Sequence, residues 1–190
     1  MPFNFPILLT WLRIFAIPLV VGVYYLPTDW FNLHERNLLA TVLFVLAAVT
    51  DWLDGYFARR WNQTSAFGAF LDPVADKLMV SAALLILLQM DRTDAWVALI
   101  IIGREITISA LREWMAQLGA RSSVAVNSLG KIKTVAQMIA IPMLLADMPI
   151  FQHIHSHVLG TWLIWIASVL TLWSMFYYLR QAWPTLKKHT

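Results

Sequence analysis

Residues 51–77 read DWLDGYFARRWNQTSAFGAFLDPVADK. Four aspartates, Asp51, Asp54, Asp72 and Asp76, stand here in a chain that is otherwise apolar on both sides. Asp51 and Asp54 are spaced i, i+3, and Asp72 and Asp76 are spaced i, i+4. On helices each pair shares a face, about one turn apart. The polar segment RRWNQTS lies between the pairs and reads as a turn at a membrane surface. The two flanking segments then form a helical hairpin, and the four carboxylates converge at similar depth on one pocket.

The surrounding composition is that of a membrane protein. Of the 190 residues, 59% are hydrophobic and 13% charged, where a soluble domain carries about 25% charge. Ten Trp and ten Phe point the same way. With no cysteine, disulfide and thiolate chemistry are excluded. The net charge of +3 fits basic residues facing anionic head groups. No basic run with interleaved aromatics suggests nucleic acid, and none is expected as a partner. The apolar N-terminus has no Lys or Arg before Arg13 and no A-x-A-like site, so it reads as a retained helix.

A spanning helix needs roughly 20 apolar residues. Six segments qualify: about Ile7 to Leu26, Asn37 to Trp61, Asp72 to Met90, Asp94 to Met115, Gly130 to Ala146 and His155 to Tyr178. The apolar runs are long and do not alternate, so strands are not expected. The expected fold is an all-α integral membrane bundle of six transmembrane helices, with residues 1–190 as one domain. Six spans place both termini on one side. That side receives Arg13, Arg59, Arg60, Lys77, Arg104, Arg112, Arg121, Lys131, Lys133, Arg180, Lys187 and Lys188. The other receives only Arg36 and Arg92. By the positive-inside rule the first side is cytoplasmic.

Intramembrane carboxylates mark function. A single one is often a neutral or paired structural residue; four convergent ones with glycines nearby are not explained that way. Four like charges in a partly dehydrated space repel and call for protonation or cations. An oxygen-only ligand set favours hard ions such as Mg²⁺, Mn²⁺ or Ca²⁺. Two such ions about 3.5–4 Å apart suit in-line displacement at phosphorus. Gly55, Ala58, Gly68 and Ala69 supply small residues for close approach, and Arg59 stands near the pocket mouth, where it can bind phosphate.

A basic cluster lies next to this acidic site. GREITISALREWM covers 103–115 and GKIKT covers 130–134. Arg104 and Arg112, two turns apart, fall near one face, with Lys131 and Lys133 at the same end of the bundle. Such a cluster suits an acceptor carrying its own phosphate. Glu105 and Glu113 each follow an Arg directly and are expected to point away from it. Arg13 interrupts the first apolar segment, where it either approaches a phosphate or snorkels to the interface. His153, His155 and His157 alternate on the side away from the aspartates; such spacing could hold a metal, but neither metal binding nor a catalytic role is expected of them. Trp162, Trp165, Trp173 and Trp183 read as lipid-facing or interfacial anchors.

The aspartate stretch resembles the signature of the CDP-alcohol phosphatidyltransferases, D-x-x-D-G-x-x-A-R, eight residues, then G-x-x-x-D-x-x-x-D. Asp51, Asp54, Gly55, Ala58, Arg59, Gly68, Asp72 and Asp76 fill every fixed position, and the eight-residue gap is intact. The resemblance implies a membrane transferase that moves the phosphatidyl group of CDP-diacylglycerol to an alcohol and releases CMP. It implies that Asp51, Asp54, Asp72 and Asp76 hold two Mg²⁺ or Mn²⁺ ions and that Asp76 is also the general base. It places Gly55, Arg59 and Gly68, with Asp51, at the CDP-diacylglycerol site. The R-E and G-K-x-K-T segments, with the opening NFPILLTWLR, are similar to members whose acceptor is sn-glycerol 3-phosphate, giving phosphatidylglycerophosphate. On that resemblance Thr10 and Arg13 join the CDP-diacylglycerol site, and Arg104, Arg112, Lys131 and Lys133 bind glycerol 3-phosphate. A homodimer in the bacterial inner membrane, with its active site facing the cytoplasm and membrane lipids around it, is likewise implied. The alternatives are a cardiolipin synthase of the same family and, from another class, a divalent-cation transporter.

Overall fold

The computed structural model describes residues 5–61, 66–118, 128–151 and 154–189. Six helices follow one another: α1 (Phe5–Gly22), α2 (Leu33–Arg60), α3 (Ala66–Gln89), α4 (Ala95–Gln117), α5 (Ser128–Ala146) and α6 (Ser156–His189). A 3₁₀ turn, Val23–Tyr25, extends α1. Among the described residues the fold is all-α apart from one small hairpin, as apolar runs of this length require when backbone groups must be satisfied within each segment.

The two boundaries that differ most from the sequence expectation both involve prolines. α3 begins at Ala66 rather than near Asp72 and carries Pro73 inside it. α6 passes Tyr178, where the last span was expected to end, and carries Pro184. A proline removes one backbone donor and crowds the carbonyl four residues back. Neighbouring helices and side chains in a bundle allow such a gap to be tolerated. The strand expectation is also corrected. β1 (Pro149–Phe151) pairs antiparallel with β2 (Ile154–His155), with Pro149 opposite His155. The link between α5 and α6 is so short that its backbone groups pair across the turn.

Polarity is turned inside out relative to a water-soluble bundle. Trp52, Phe70, Trp96, Trp162, Trp173, Phe176 and Trp183 are exposed. Thr10, Arg13, Asn37, Asp54, Arg104, Lys133 and Gln137 are buried. Polar side chains in membrane helices face the interior, where they find partners. Trp165 is exposed as well, so all four tryptophans read as lipid-facing anchors lie on the outside. Among the described residues, three stretches are long and apolar enough to cross a membrane: Ile7–Tyr25, Leu33–Phe57 and Ser156–Pro184. α3, α4 and α5 are interrupted by the polar groups of the site described below.

The apolar core sits between Val20, Phe44, Leu84, Leu87, Ile101, Ile141, Leu144 and Ile164, drawn from all six helices. A smaller cluster of Ile108, Leu111, Met115, Tyr178 and Ala182 joins α4 to the far part of α6. α5 and α6 approach closely at Gly160. A Cβ there would lie 2.9 Å from Leu144 Cγ and 3.2 Å from the Ala140 carbonyl oxygen. Neither atom is the free end of a flexible chain. Gly160→Ala should therefore destabilise the protein by about 1–3 kcal/mol, the usual effect of overpacking. Thermal unfolding in detergent checks this, and an unchanged midpoint would show that α5 and α6 can separate without loss.

Candidate active site at the aspartate hairpin

Asp54 lies six residues before the last residue of α2, Arg60, and Asp72 six residues after the first residue of α3, Ala66. This symmetry about the 61–65 connection sets the two acidic pairs level. Asp51 and Asp76 are each one turn deeper. The sequence expectation of two pairs facing each other across a hairpin is met in the backbone.

What joins them comes from α1. The Arg13 guanidinium is 2% exposed and bonds three carboxylates. Nη1 lies 2.7 Å from Asp51 Oδ1 and 2.8 Å from Asp76 Oδ1, and Nη2 bonds Asp54 Oδ2. One turn earlier, Thr10 Oγ1 donates to Asp72 Oδ1 at 2.7 Å. All four aspartates are thus contacted by one face of α1. Arg13 does not snorkel to the interface. A planar fork with donors on both terminal nitrogens can serve several carboxylates at once. The carboxylates are not equivalent: the Asp54 side chain is 4% exposed, Asp51 34% and Asp76 41%. Asp54 is sealed in, whereas Asp51 and Asp76 open onto space.

That space is a cavity of about 230 Å³. Asp51, Asp76 and Lys77 line one side, and Glu105, Thr134 and Gln137 the other. The basic cluster lies behind Glu105. Its carboxylate accepts from Lys133 Nζ and, at 3.1 Å, from Arg104 Nη1. The expectation that Glu105 points away from its neighbour Arg104 is therefore corrected. The long guanidinium stem folds back along the helix, so adjacent residues meet. Arg104 Nη2 also donates to Ser174 Oγ at 3.2 Å. The Arg104 and Arg112 guanidiniums lie 5.6 and 5.5 Å from the centre of the Tyr178 ring, within cation–π range.

Of the residues singled out from sequence, Thr10, Arg13, Asp51, Asp54, Asp72 and Asp76 come together. Arg104, Arg112 and Lys133 form a second group, whose partner Glu105 faces the first group across the cavity. Gly55 lies within α2 next to Asp54, and buried Gly68 lies one turn before Asp72. The side chains of Ala58, Arg59, Ala69 and Lys131 lie outside the described residues. Thr134, Gln137 and Tyr178 were not anticipated. Thr134 closes the quoted GKIKT segment, but nothing in the sequence places Tyr178, from the last helix, beside Arg104.

The donor set fits a hard divalent cation: four carboxylates, all oxygen, aimed at a region that already holds one positive charge.

Breaking the Arg13 contacts leaves buried Asp54 without its cation. Removing one partner of a buried pair typically costs about 3–5 kcal/mol. Arg13→Leu should lose stability on that scale. Arg13→Lys should lose less, since an ammonium keeps the charge but not the fork. Chemical unfolding in detergent, in chelator, separates the two. Equal stability of wild type and Arg13→Leu would remove Arg13 as the tether.

The chain matches the CDP-alcohol phosphatidyltransferase family over residues 3–173. It is 51% identical over 185 residues, covering 96% of each chain, to the CDP-diacylglycerol–glycerol-3-phosphate 3-phosphatidyltransferases of Shigella flexneri serotype 5b (strain 8401) and Escherichia coli (strain K12). It is 50% identical, with the same coverage, to that of Salmonella choleraesuis (strain SC-B67). With the full aspartate signature gathered on one hairpin and matching relatives along nearly its whole length, this chain belongs to the CDP-alcohol phosphatidyltransferase family.

Proposed function

We propose that the protein transfers the phosphatidyl group of CDP-diacylglycerol to sn-glycerol 3-phosphate, forming phosphatidylglycerophosphate and CMP. The observation that carries this is the cavity between Asp51 and Asp76 on one side and Glu105 on the other. This supports reading the aspartates as the site of a metal-bound diphosphate and the basic residues held by Glu105 as the site of an acceptor phosphate. The names of the 50–51% identical relatives support the same donor and acceptor.

Asp51, Asp54, Asp72 and Asp76 would hold the divalent ions, read as two Mg²⁺ or Mn²⁺. When bound, the ions supply neutralisation of the diphosphate and of the departing CMP. Asp76 is the general base. It combines membership of the acidic group with an opening onto the cavity, which sealed Asp54 lacks. The acceptor hydroxyl loses its proton to the Asp76 carboxylate as its oxygen attacks the phosphorus bearing diacylglycerol. The new O–P bond forms in line with the bond to CMP, which breaks. Positioning and charge stabilisation do most of the work in such transfers. Thr10, Arg13, Gly55, Arg59 and Gly68 complete the CDP-diacylglycerol site.

Arg104, Arg112, Lys131 and Lys133 receive the acceptor phosphate. Arg104 Nε is buried without a hydrogen-bond partner among the described residues. An acceptor phosphate would compete with Glu105 for Lys133 and draw on that spare donor. A neutral alcohol would have no use for either.

The excess of Lys and Arg on one side supports a six-span topology with both termini and the aspartates facing the cytoplasm. The bacterial relatives support an inner-membrane location. A homodimer is expected from the family resemblance. The transport reading is disfavoured because the acids cluster at one end of the bundle and are joined to a basic cavity.

CMP release by purified protein, with CDP-diacylglycerol and Mg²⁺, tests the proposal. Glycerol 3-phosphate should support release; serine, inositol and phosphatidylglycerol should not. Chelation should abolish it. Asp76→Asn should retain the fold and lose at least about 10²-fold in turnover, the lower end for a general base. Lys133→Ala should mainly raise KM for glycerol 3-phosphate. Release with phosphatidylglycerol instead would shift the assignment to a cardiolipin synthase.

A further inference from the structure

At the end of the bundle opposite the aspartates, α5 turns into α6 through a short, tightly bonded link. Asp147 follows α5 with φ of 44°, in the left-handed region that Asp tolerates better than most residues. Ser156, buried at the start of α6, fastens the link. Its Oγ donates to the Met143 carbonyl at 2.8 Å and accepts from Met148 N–H at 2.9 Å. Its own N–H donates to the Met148 carbonyl at 2.8 Å. The β1–β2 hairpin then sets His155 across from Pro149.

This framework gathers three metal-ligating side chains. One ligand atom each from Asp147, His155 and His157 lie within 4.8 Å of one another. His157 Nδ1 is 2.9 Å from Asp147 Oδ1, and the two imidazole rings are 5.8 Å apart between centres. The other Asp147 oxygen is held from outside: Arg92 Nη2 lies 3.2 Å from Oδ2. Arg92 is itself anchored, its Nη1 donating to the carbonyls of Leu144 and Leu145 at 3.1 and 2.9 Å. Arg92 thus fixes the carboxylate with Oδ1 turned toward the histidines, the kind of outer contact that orients metal ligands. Both histidines are reachable from solution.

We propose that Asp147, His155 and His157 bind a Zn²⁺-class divalent ion, forming a second metal site separate from the aspartate centre. Two imidazoles and a carboxylate are a common donor set for Zn²⁺, which completes its tetrahedron with a water or another ligand. The aspartate site offers only oxygen and prefers Mg²⁺ or Mn²⁺, so nitrogen donors separate the two by metal type. The ion ties the end of α5 to the start of α6 and, through Arg92, to the connection between α3 and α4. It acts as a clamp and takes no part in phosphatidyl transfer. His155 is the discriminating residue: the Asp147–His157 hydrogen bond does not need it, and the metal does.

The test uses untagged full-length protein in detergent, stripped with chelator and then saturated with Mg²⁺ to fill the aspartates. Calorimetric titration with Zn²⁺ should show one equivalent bound. His155→Ala and His157→Ala should each weaken it by at least about tenfold, as loss of even an outer partner can. Co²⁺ in place of Zn²⁺ should give the visible bands of a four-coordinate ion, lost in both variants. Zn²⁺ should raise the melting temperature of the wild type and not of His155→Ala, because a ligand bound only by the native state stabilises it. Monodisperse elution and an unchanged melting temperature in chelator establish that the variants are folded. Absence of Zn²⁺ binding over Mg²⁺, or equal binding by wild type and both variants, overturns the proposal. So does an equivalent lost only in Asp51→Asn, since the ion would then sit on the aspartates.

Discussion

One buried guanidinium organises the aspartate end of this protein. Arg13 reaches from α1 to carboxylates on both α2 and α3, and Thr10 meets the fourth aspartate from the same helix. Four acids on a helical hairpin repel one another, more strongly where water is scarce. A hairpin carrying them needs a positive partner that is held rigidly. Apolar α1, otherwise free of charge along its length, delivers that single cation into the interior and is thereby fixed against both other helices.

From this arrangement the asymmetry of the site follows. Asp54 is closed in by the contact, while Asp51 and Asp76 open onto a cavity shared with Glu105. Glu105 is in turn the acid that holds Arg104 and Lys133 in place. Acid and base alternate outward from Arg13: guanidinium, carboxylates, cavity, carboxylate, cations. Such alternation lets opposite charges lie side by side without collapsing into simple pairs. A buried ion pair seldom adds much stability over well-packed apolar residues, so stability alone does not account for these charges.

The sequence made the hairpin legible because its information is local. Spacings of three and four residues decide which side chains share a helical face, and long apolar runs decide that the segments are helices. Helix ends were harder to read where proline intervenes. Pro73 reads as a helix start and Pro184 as a stop, yet both lie inside helices. The α5–α6 link reads as plain loop because a hairpin with strands of three and two residues leaves no periodic signal. Arg13 showed only that a charge interrupts an apolar helix. Its three partners stand 38, 41 and 63 residues away in the chain, and no pattern rule spans such distances.

Taken by itself, the amino-acid sequence determined the membrane-helical class and the two acidic pairs, because composition and short-range periodicity act within single helices. Only tertiary structure decided which cation meets which carboxylate. It also set Tyr178 beside Arg104 and Arg112, opened the cavity that joins acidic and basic halves, and gathered Asp147, His155 and His157. Those outcomes depend on how helices pack across the bundle. Packing is set by the summed fit of many side chains, Gly160 against Leu144 among them, and no short stretch encodes it.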